Sequence, residues 1–381
     1  MRSEANLSLS GAGHTCGQFA AAYRVLQEAI EARAFPGCAF GVLAGGRVAV
    51  QDALGRHTYE EDAPAVTADT VYDLASVTKV VATTAAAMLL SQRKQINLDT
   101  RLGEILPAFL AGRAKDDPAR HVQLRHLLAH SSGLPDYVEF FRTAATPEAL
   151  LYDCLGLPLL AEPGTRAAYS DPGFILLGKA FEAQTGESLS VWLEREVFAP
   201  LGMMATGYCP EPSARSSIPP TEEDTTFRKR RIQGEVQDEN AWVLNGVAGH
   251  AGVFSNIPDL MKFAGAVLGT ATVNAAGSGN ASGVETHLFD REIVKLFAQR
   301  QMPEGSSRAL GWDTPSENSS SGRRFGPHSI GHLGYSGCSI WIDLDAAIAV
   351  ALLTNRTWPD RQNQLIRAVR PAFHDAVREA L

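Results

Sequence analysis

Pro36-Gly-Cys-Ala-Phe-Gly-Val-Leu-Ala44-Gly-Gly46-Arg-Val48-Ala-Val-Gln-Asp-Ala-Leu54 is the stretch on which the fold turns. Two apolar runs, Cys38 to Ala44 and Val48 to Leu54, flank a Gly-Gly pair that accepts the positive φ of a tight turn, and this predicts a β-hairpin. Just before it, Phe19 to Arg33 carries Tyr23, Leu26, Ile30 and Ala34 at helical spacing. The far end is a mirror image. Ser339 to Asp343 and Ala347 to Thr354 are short apolar strands joined around Asp345, and Gln362 to Leu381 follows with a helical pattern and a kink expected at Pro371. Helix plus hairpin at one end and hairpin plus helix at the other predict an α/β (α+β) protein in which both termini build one antiparallel sheet flanked by N- and C-terminal helices.

The middle of the chain has a different texture. Leu124 to His130, Thr146 to Leu155, Phe174 to Thr185, Leu189 to Phe198 and Leu260 to Leu268 read as helices, so an α-rich domain is expected to be inserted at 96–300 into a sheet domain made of 1–95 and 301–381. Gly269 to Gly283 and Ser316 to Gly322 are of low complexity and are expected to be mobile.

Bulk properties exclude several function classes. The 381 residues are 45% hydrophobic and 20% charged, enough for a large core, and the net charge of −8 argues against a nucleic-acid partner. The densest basic run, Arg228 to Arg231, lies near Glu222, Glu223 and Asp224 and reads as a solvated loop of local ion pairs. Five cysteines, Cys16, Cys38, Cys154, Cys209 and Cys338, are odd in number and scattered, which predicts thiols. No window is apolar enough for a membrane span, and Met1 to Gln18 lacks the pattern of a secretory leader. The compartment expected is the cytoplasm, or the periplasm if a leader has been removed.

Chemistry concentrates in three places. Asp73-Leu-Ala-Ser76-Val-Thr-Lys79 opens a run with Val80, Val81, Thr84, Ala85, Met88 and Leu89 at helical intervals, which predicts Ser76 in the first turn of a buried helix capped by Asp73. A spacing of three brings Lys79 to the same face, where a desolvated lysine can activate a serine hydroxyl. Ser91-Gln-Arg-Lys94 has the same spacing but lies in a polar stretch where a helix ends, and it is read as coincidence. Tyr169-Ser-Asp171 follows a Glu-Pro-Gly-Thr turn, and a tyrosine beside a lysine ammonium can relay a proton at a lowered pKa. Gly331-His-Leu-Gly-Tyr335-Ser-Gly337 runs into a strand, where glycines let a substrate approach the backbone.

Ser-x-x-Lys, Tyr-x-Asp and His-x-Gly in this order resemble the serine β-lactamase and penicillin-binding-protein superfamily, nearest its class C β-lactamase, D-alanyl-D-alanine carboxypeptidase and family VIII esterase branch. His126-Leu-Leu-Ala-His130-Ser-Ser-Gly-Leu134, Glu162-Pro-Gly-Thr165, Pro200-Leu-Gly-Met203, Gly249-His-Ala-Gly-Val-Phe-Ser255 and Gly311-Trp312 are similar to the family as well. The resemblance implies a β-lactamase/transpeptidase-like fold and a serine hydrolase forming an acyl-enzyme on an ester, amide or β-lactam, with no cofactor and no metal. It implies Ser76 as nucleophile, Lys79 and Tyr169 as proton carriers, and the N–H groups of Ser76 and Tyr335 as an oxyanion hole beside Gly334. His332 stands where many relatives place a lysine that meets a substrate carboxylate, giving a charge that depends on pH. Asp171 replaces the asparagine of class C enzymes, and an ionised aspartate can only accept a hydrogen bond. The alternative is a slow-turnover binder of penicillins or peptidoglycan fragments acting as a sensor or scaffold.

Three histidines remain. His126 and His130 are four apart but lack the glutamate of a zinc-hydrolase helix, and helix-end hydrogen bonding is expected of them. His250, among glycines, either lines the cleft or braces a turn.

Overall fold

The computed structural model describes residues 15–270 and 287–381. Most of the Met1 to Gln18 and Gly269 to Gly283 readings therefore lies outside the described residues. The N-terminal hairpin forms as read, with β1 (Gly37–Ala44) and β2 (Arg47–Gly55) antiparallel. Three short strands come next, β3 (Tyr72–Asp73), β4 (Gly207–Tyr208) and the β5 (Glu222–Asp224) arm of a small hairpin closed by β6 (Arg230–Ile232). After β7 (Val253–Ser255), the C-terminal part supplies β8 (Ser329–Leu333), β9 (Ser339–Asp343) and β10 (Ile348–Thr354).

The main sheet has the order β2-β1-β10-β9-β8, all antiparallel, so strands from both ends of the chain interleave. Central β10 is buried at every position, and its side chains alternate between two cores as the strand period demands. Val350 and Leu352 join Phe40, Val42 and Trp341 under the helices Ala20–Glu31 and Ile366–Glu379. Ala349, Ala351 and Leu353 face the larger core with Val80, Val81, Ile257 and Leu260. Pro371 lies within the last helix.

A second sheet, β3-β7-β4, positions the Ser76 segment, since β3 ends just before it. From Tyr72 to Leu90 every residue but Ser76 is buried. A helix apolar all round belongs in a protein's interior, and this one passes from a single 3-10 turn (Ala75–Val77) through wide π-type turns (Lys79–Thr84) into Ala85–Gln92.

Two expectations need correction. Arg228 is not solvated: its side chain is buried, donating to the carbonyls of Val236 (2.7 Å) and Gln237 (2.6 Å), because Asp224 and the β5–β6 hairpin enclose it. Arg231 and Glu223 do form an exposed ion pair. The Ser316 to Gly322 loop is pinned to the last helix, where His374 Nδ1 donates to the Ser320 carbonyl (2.8 Å) and Arg323 N donates to Asp375 (2.7 Å). Among the described cysteines, Cys38, Cys154 and Cys338 are buried thiols and Cys209 is exposed.

Candidate active site

The turn that carries Ser76 is fixed by its neighbours. Leu74 N donates to Val253 O (3.0 Å), tying the segment to β7, and Ala75 adopts φ +46°, a conformation costly for a residue with a Cβ. Asp73 does not cap the helix as expected. Its Oδ1 accepts from Ala75 N (2.8 Å), bracing the bend ahead of the serine.

Lys79 is fully buried and surrounded by oxygen. Its Nζ donates to Ser76 Oγ (2.9 Å) and to the His250 carbonyl (3.0 Å), and Asp171 Oδ1 lies 2.7 Å away. That carboxylate oxygen has no well-directed hydrogen bond, so the contact is one of charge. Burial alone would lower the Lys79 pKa, but the Asp171 charge, with the Tyr169 oxygen beside it, outweighs burial and the net direction is upward, so the resting group is an ammonium.

Tyr169 and Asp171 reach this lysine from a helix that starts earlier than the sequence suggested, at Asp171 rather than Phe174. Ser170 caps it, accepting from Gly173 N (3.1 Å) and donating to Pro135 O (2.7 Å). Tyr169 packs on the His130 ring at 4.5 Å between centroids, and Lys79 Nζ lies 4.9 Å from the Tyr169 ring centre. The phenol does not have the lowered pKa expected of it: burial raises it, and the pull of Lys79 does not compensate. At rest, then, Tyr169 is a neutral hydroxyl.

The third motif comes from β8. His332 Nδ1 lies 2.8 Å from the Leu333 carbonyl and must donate to it, which leaves Nε2 bare, buried and unpartnered. Burial, then the charges of Lys79 and Arg308, push its pKa well below the usual histidine range. His332 is therefore neutral near pH 7, which corrects the pH-dependent charge expected of it. Gly334 cannot carry a side chain, because a Cβ would sit 2.3 Å from Leu74 O. Tyr335 is half exposed, with its carbonyl accepting from Arg356 Nε (2.7 Å). Among the described residues no acceptor takes the backbone N–H of Ser76 or of Tyr335.

Ser91 and Lys94 show by contrast what spacing alone yields. They line a wide, shallow hollow with Asn97, Arg125 and Gln184, and no residue around Ser76 borders it.

Residues 23–372 match the Beta-lactamase family model. The chain belongs to the beta-lactamase family. It is 31% identical over 365 residues to the N-acetylmuramyl-L-alanine amidase of Bacillus subtilis, covering 85% of this chain and 78% of that one. It is 29% identical over 315 residues to a putative D-alanyl-D-alanine carboxypeptidase of Escherichia coli, covering 76% and 70%. Its fold is that of the class C beta lactamase from Rhodobacter sphaeroides (TM-score 0.70, 21% identity, 94% and 99% covered). It is also that of EstCE1, described as a hydrolase with promiscuous acyltransferase activity (TM-score 0.72, 22% identity, 94% and 99% covered).

In this beta-lactamase-family chain, Asp238 and Arg308 stand near the site with no motif to betray them. His250 is buried beside the site: its carbonyl accepts from Lys79 Nζ, and its Nε2 lies 2.8 Å from Asp238 Oδ1. Burial would raise the Asp238 pKa, yet His250 beside it brings it down to about 2. His126 braces a helix start, with Nδ1 accepting from Gln123 N (3.2 Å), whereas His130, at φ +54°, accepts from Ser170 N (2.9 Å) and supports Tyr169. Arg308 is the larger surprise. Its guanidinium lies 5.3 Å from the Tyr169 ring centre and acts on both His130 and His332, while its ion pair with Asp313 is loose at 3.6 Å. No described residue accepts a hydrogen bond from that guanidinium.

Proposed function

We propose that this chain is a serine hydrolase that cleaves a carboxylic ester, amide or β-lactam through an acyl-enzyme on Ser76. The observation that carries the reading is the 2.9 Å contact of Lys79 Nζ with Ser76 Oγ, at the one position of a buried segment that meets solvent. With Lys79 an ammonium and Tyr169 neutral, the proton moves by relay. As Ser76 Oγ bonds to the carbonyl carbon, its proton passes to the Tyr169 oxygen, and the proton Tyr169 held goes to the departing nitrogen or oxygen as that bond breaks. Lys79 keeps its charge and offsets the negative charge growing on this pair. The N–H groups of Ser76 and Tyr335 receive the carbonyl oxygen. Water then attacks the acyl carbon, gives its proton to Tyr169, and Ser76 recovers the one Tyr169 releases.

The names of the amidase and carboxypeptidase relatives support an amide substrate, and Arg308 supports one that carries an anion. A guanidinium with free donors beside the reacting groups suits a carboxylate, and a hydrogen bond to a charged partner contributes about 1.5–3 kcal/mol. Arg308→Ala is therefore expected to lower kcat/KM for a carboxyphenyl ester on the order of tenfold relative to the matched uncharged phenyl ester. An equal effect on both esters would remove Arg308 from substrate recognition.

Asp171 governs a second preference. Asp171→Asn removes the charge that holds Lys79 protonated, so burial dominates and the lysine pKa falls. The amide also supplies a donor for a side-chain carbonyl. The ratio of kcat/KM for a chromogenic cephalosporin to that for a p-nitrophenyl ester, at pH 7.5, is expected to rise above wild type. A flat or reduced ratio would assign acyl-donor choice to the surrounding loops instead.

The deciding test is a panel of short-chain esters, a chromogenic cephalosporin and a D-Ala-D-Ala peptide, followed by intact-mass detection of the adduct. Multiple turnovers support the hydrolase. A persistent adduct without turnover supports the sensor or scaffold.

A further inference from the structure

Asp73 is hydrogen-bonded into three segments, the turn that carries Ser76, the stretch at Gln237 and the turn at Ser336. It ends β3, opposite Phe254 of β7, and is almost wholly buried. Its Oδ1 accepts from Ala75 N at 2.8 Å, holding the residue before Ser76 at its positive φ. Its Oδ2 accepts from Gln237 N at 2.7 Å, next to Asp238, which holds the ring of the same His250 whose carbonyl receives Lys79. Its main-chain carbonyl accepts from Ser336 Oγ at 2.7 Å, adjoining Tyr335. The Ser76 and Tyr335 N–H groups, which no described residue accepts, thus lie on segments that both bond to this one residue.

We propose that Asp73 is a positioning residue that sets the separation of the Ser76 and Tyr335 backbone N–H groups, its carboxylate fixing the first and its carbonyl the second. The inference rests on the hydrolase reading, in which those groups receive the substrate carbonyl oxygen. The ionised carboxylate accepts most strongly from Ala75 and Gln237 together, and a proton on either oxygen takes up part of that oxygen's acceptor capacity. The charged or titratable groups facing it are Asp238 and Arg228, with the Cys338 thiol close to its carbonyl. Burial raises the Asp73 pKa to about 6, so the clamp loosens as pH falls through that value.

Two variants test the clamp. Asp73→Asn keeps the shape but points an NH2 at one of the two N–H groups. Its single-turnover acylation with a p-nitrophenyl ester at pH 7.5 is expected to slow about 10–100-fold, with KM within about threefold of wild type, as a small misplacement of reacting groups does. The fall in wild-type rate as pH drops through about 6 is expected to be missing. Ser336→Ala removes a single oxygen, keeps the carboxylate, and is expected to slow acylation while retaining that fall. Crystal structures of both read the clamp without turnover, as a changed distance between the Ser76 and Tyr335 nitrogens. An unchanged distance in both, or an Asp73→Asn loss confined to KM, overturns the proposal. Should Asp73→Asn not fold, Ser336→Ala decides alone, and unchanged acylation and distance in it overturn the clamp. A wild type that forms no Ser76 adduct would bring down the hydrolase reading instead, leaving the nitrogen separation to decide the clamp.

Discussion

Ser76→Ala is expected to abolish turnover and every covalent adduct, by far the largest effect of any substitution in this chain. The hydroxyl accepts a hydrogen bond from Lys79 Nζ and is the one interruption in the buried run from Tyr72 to Leu90. Removing one oxygen at a half-exposed position opens little cavity, so the melting temperature should stay near that of wild type. Ser91→Ala is the matched control, because Ser91 lies on a shallow exposed hollow away from the cleft. Peptide mapping of the acylated protein reads the outcome directly. An adduct on Ser91, or on any serine but Ser76, would sink the assignment.

Tyr169→Phe is expected to lower kcat by a factor on the order of 10²–10⁴, the range for loss of a general acid–base group. The mechanism leans on this hydroxyl because neither neighbour is an effective base: Lys79 is held protonated by Asp171, and neutral His332, with its depressed pKa, holds a proton weakly. The ring itself keeps its contacts with His130 and with the Lys79 ammonium. Folding should therefore survive, and thermal melting checks it beside the steady-state assay. Turnover within a few-fold of wild type would return Tyr169 to a packing role and force the proton onto another path.

The β1–β2 hairpin and the β9–β10 pair were legible because alternation and glycine turns are local signals. The same holds in part for Ser76 and Lys79, whose spacing of three allows them to meet on one face. What escaped the sequence is non-local. Nothing near Arg308 marks it as a neighbour of Tyr169, since the loop that carries it approaches only once β8 is in place. The protonation states went astray for a related reason. Proximity of Tyr169 to Lys79 argued for a lowered phenol pKa, but burial carries the opposite sign and prevails, and burial belongs to the whole fold. Asp73 looked like an ordinary helix cap because its second partner, Gln237, lies far along the chain.

The pairing of β1 with β10, Cys38 opposite Thr354 and Ala44 opposite Ile348, has a consequence in time. At roughly 5–20 residues per second of synthesis, the first hairpin waits tens of seconds for its central partner to be made. Until then β1 has an unpaired edge and apolar faces with nothing to cover them, the condition that invites chaperones or aggregation. Such long-range closure also makes folding slow relative to proteins built from local contacts. The same delay is protective. Ser76, Tyr169 and Tyr335 come from three distant parts of the chain, so a ribosome-bound fragment lacking the last hairpin holds a serine and a lysine without the surroundings that the proposed hydrolysis requires.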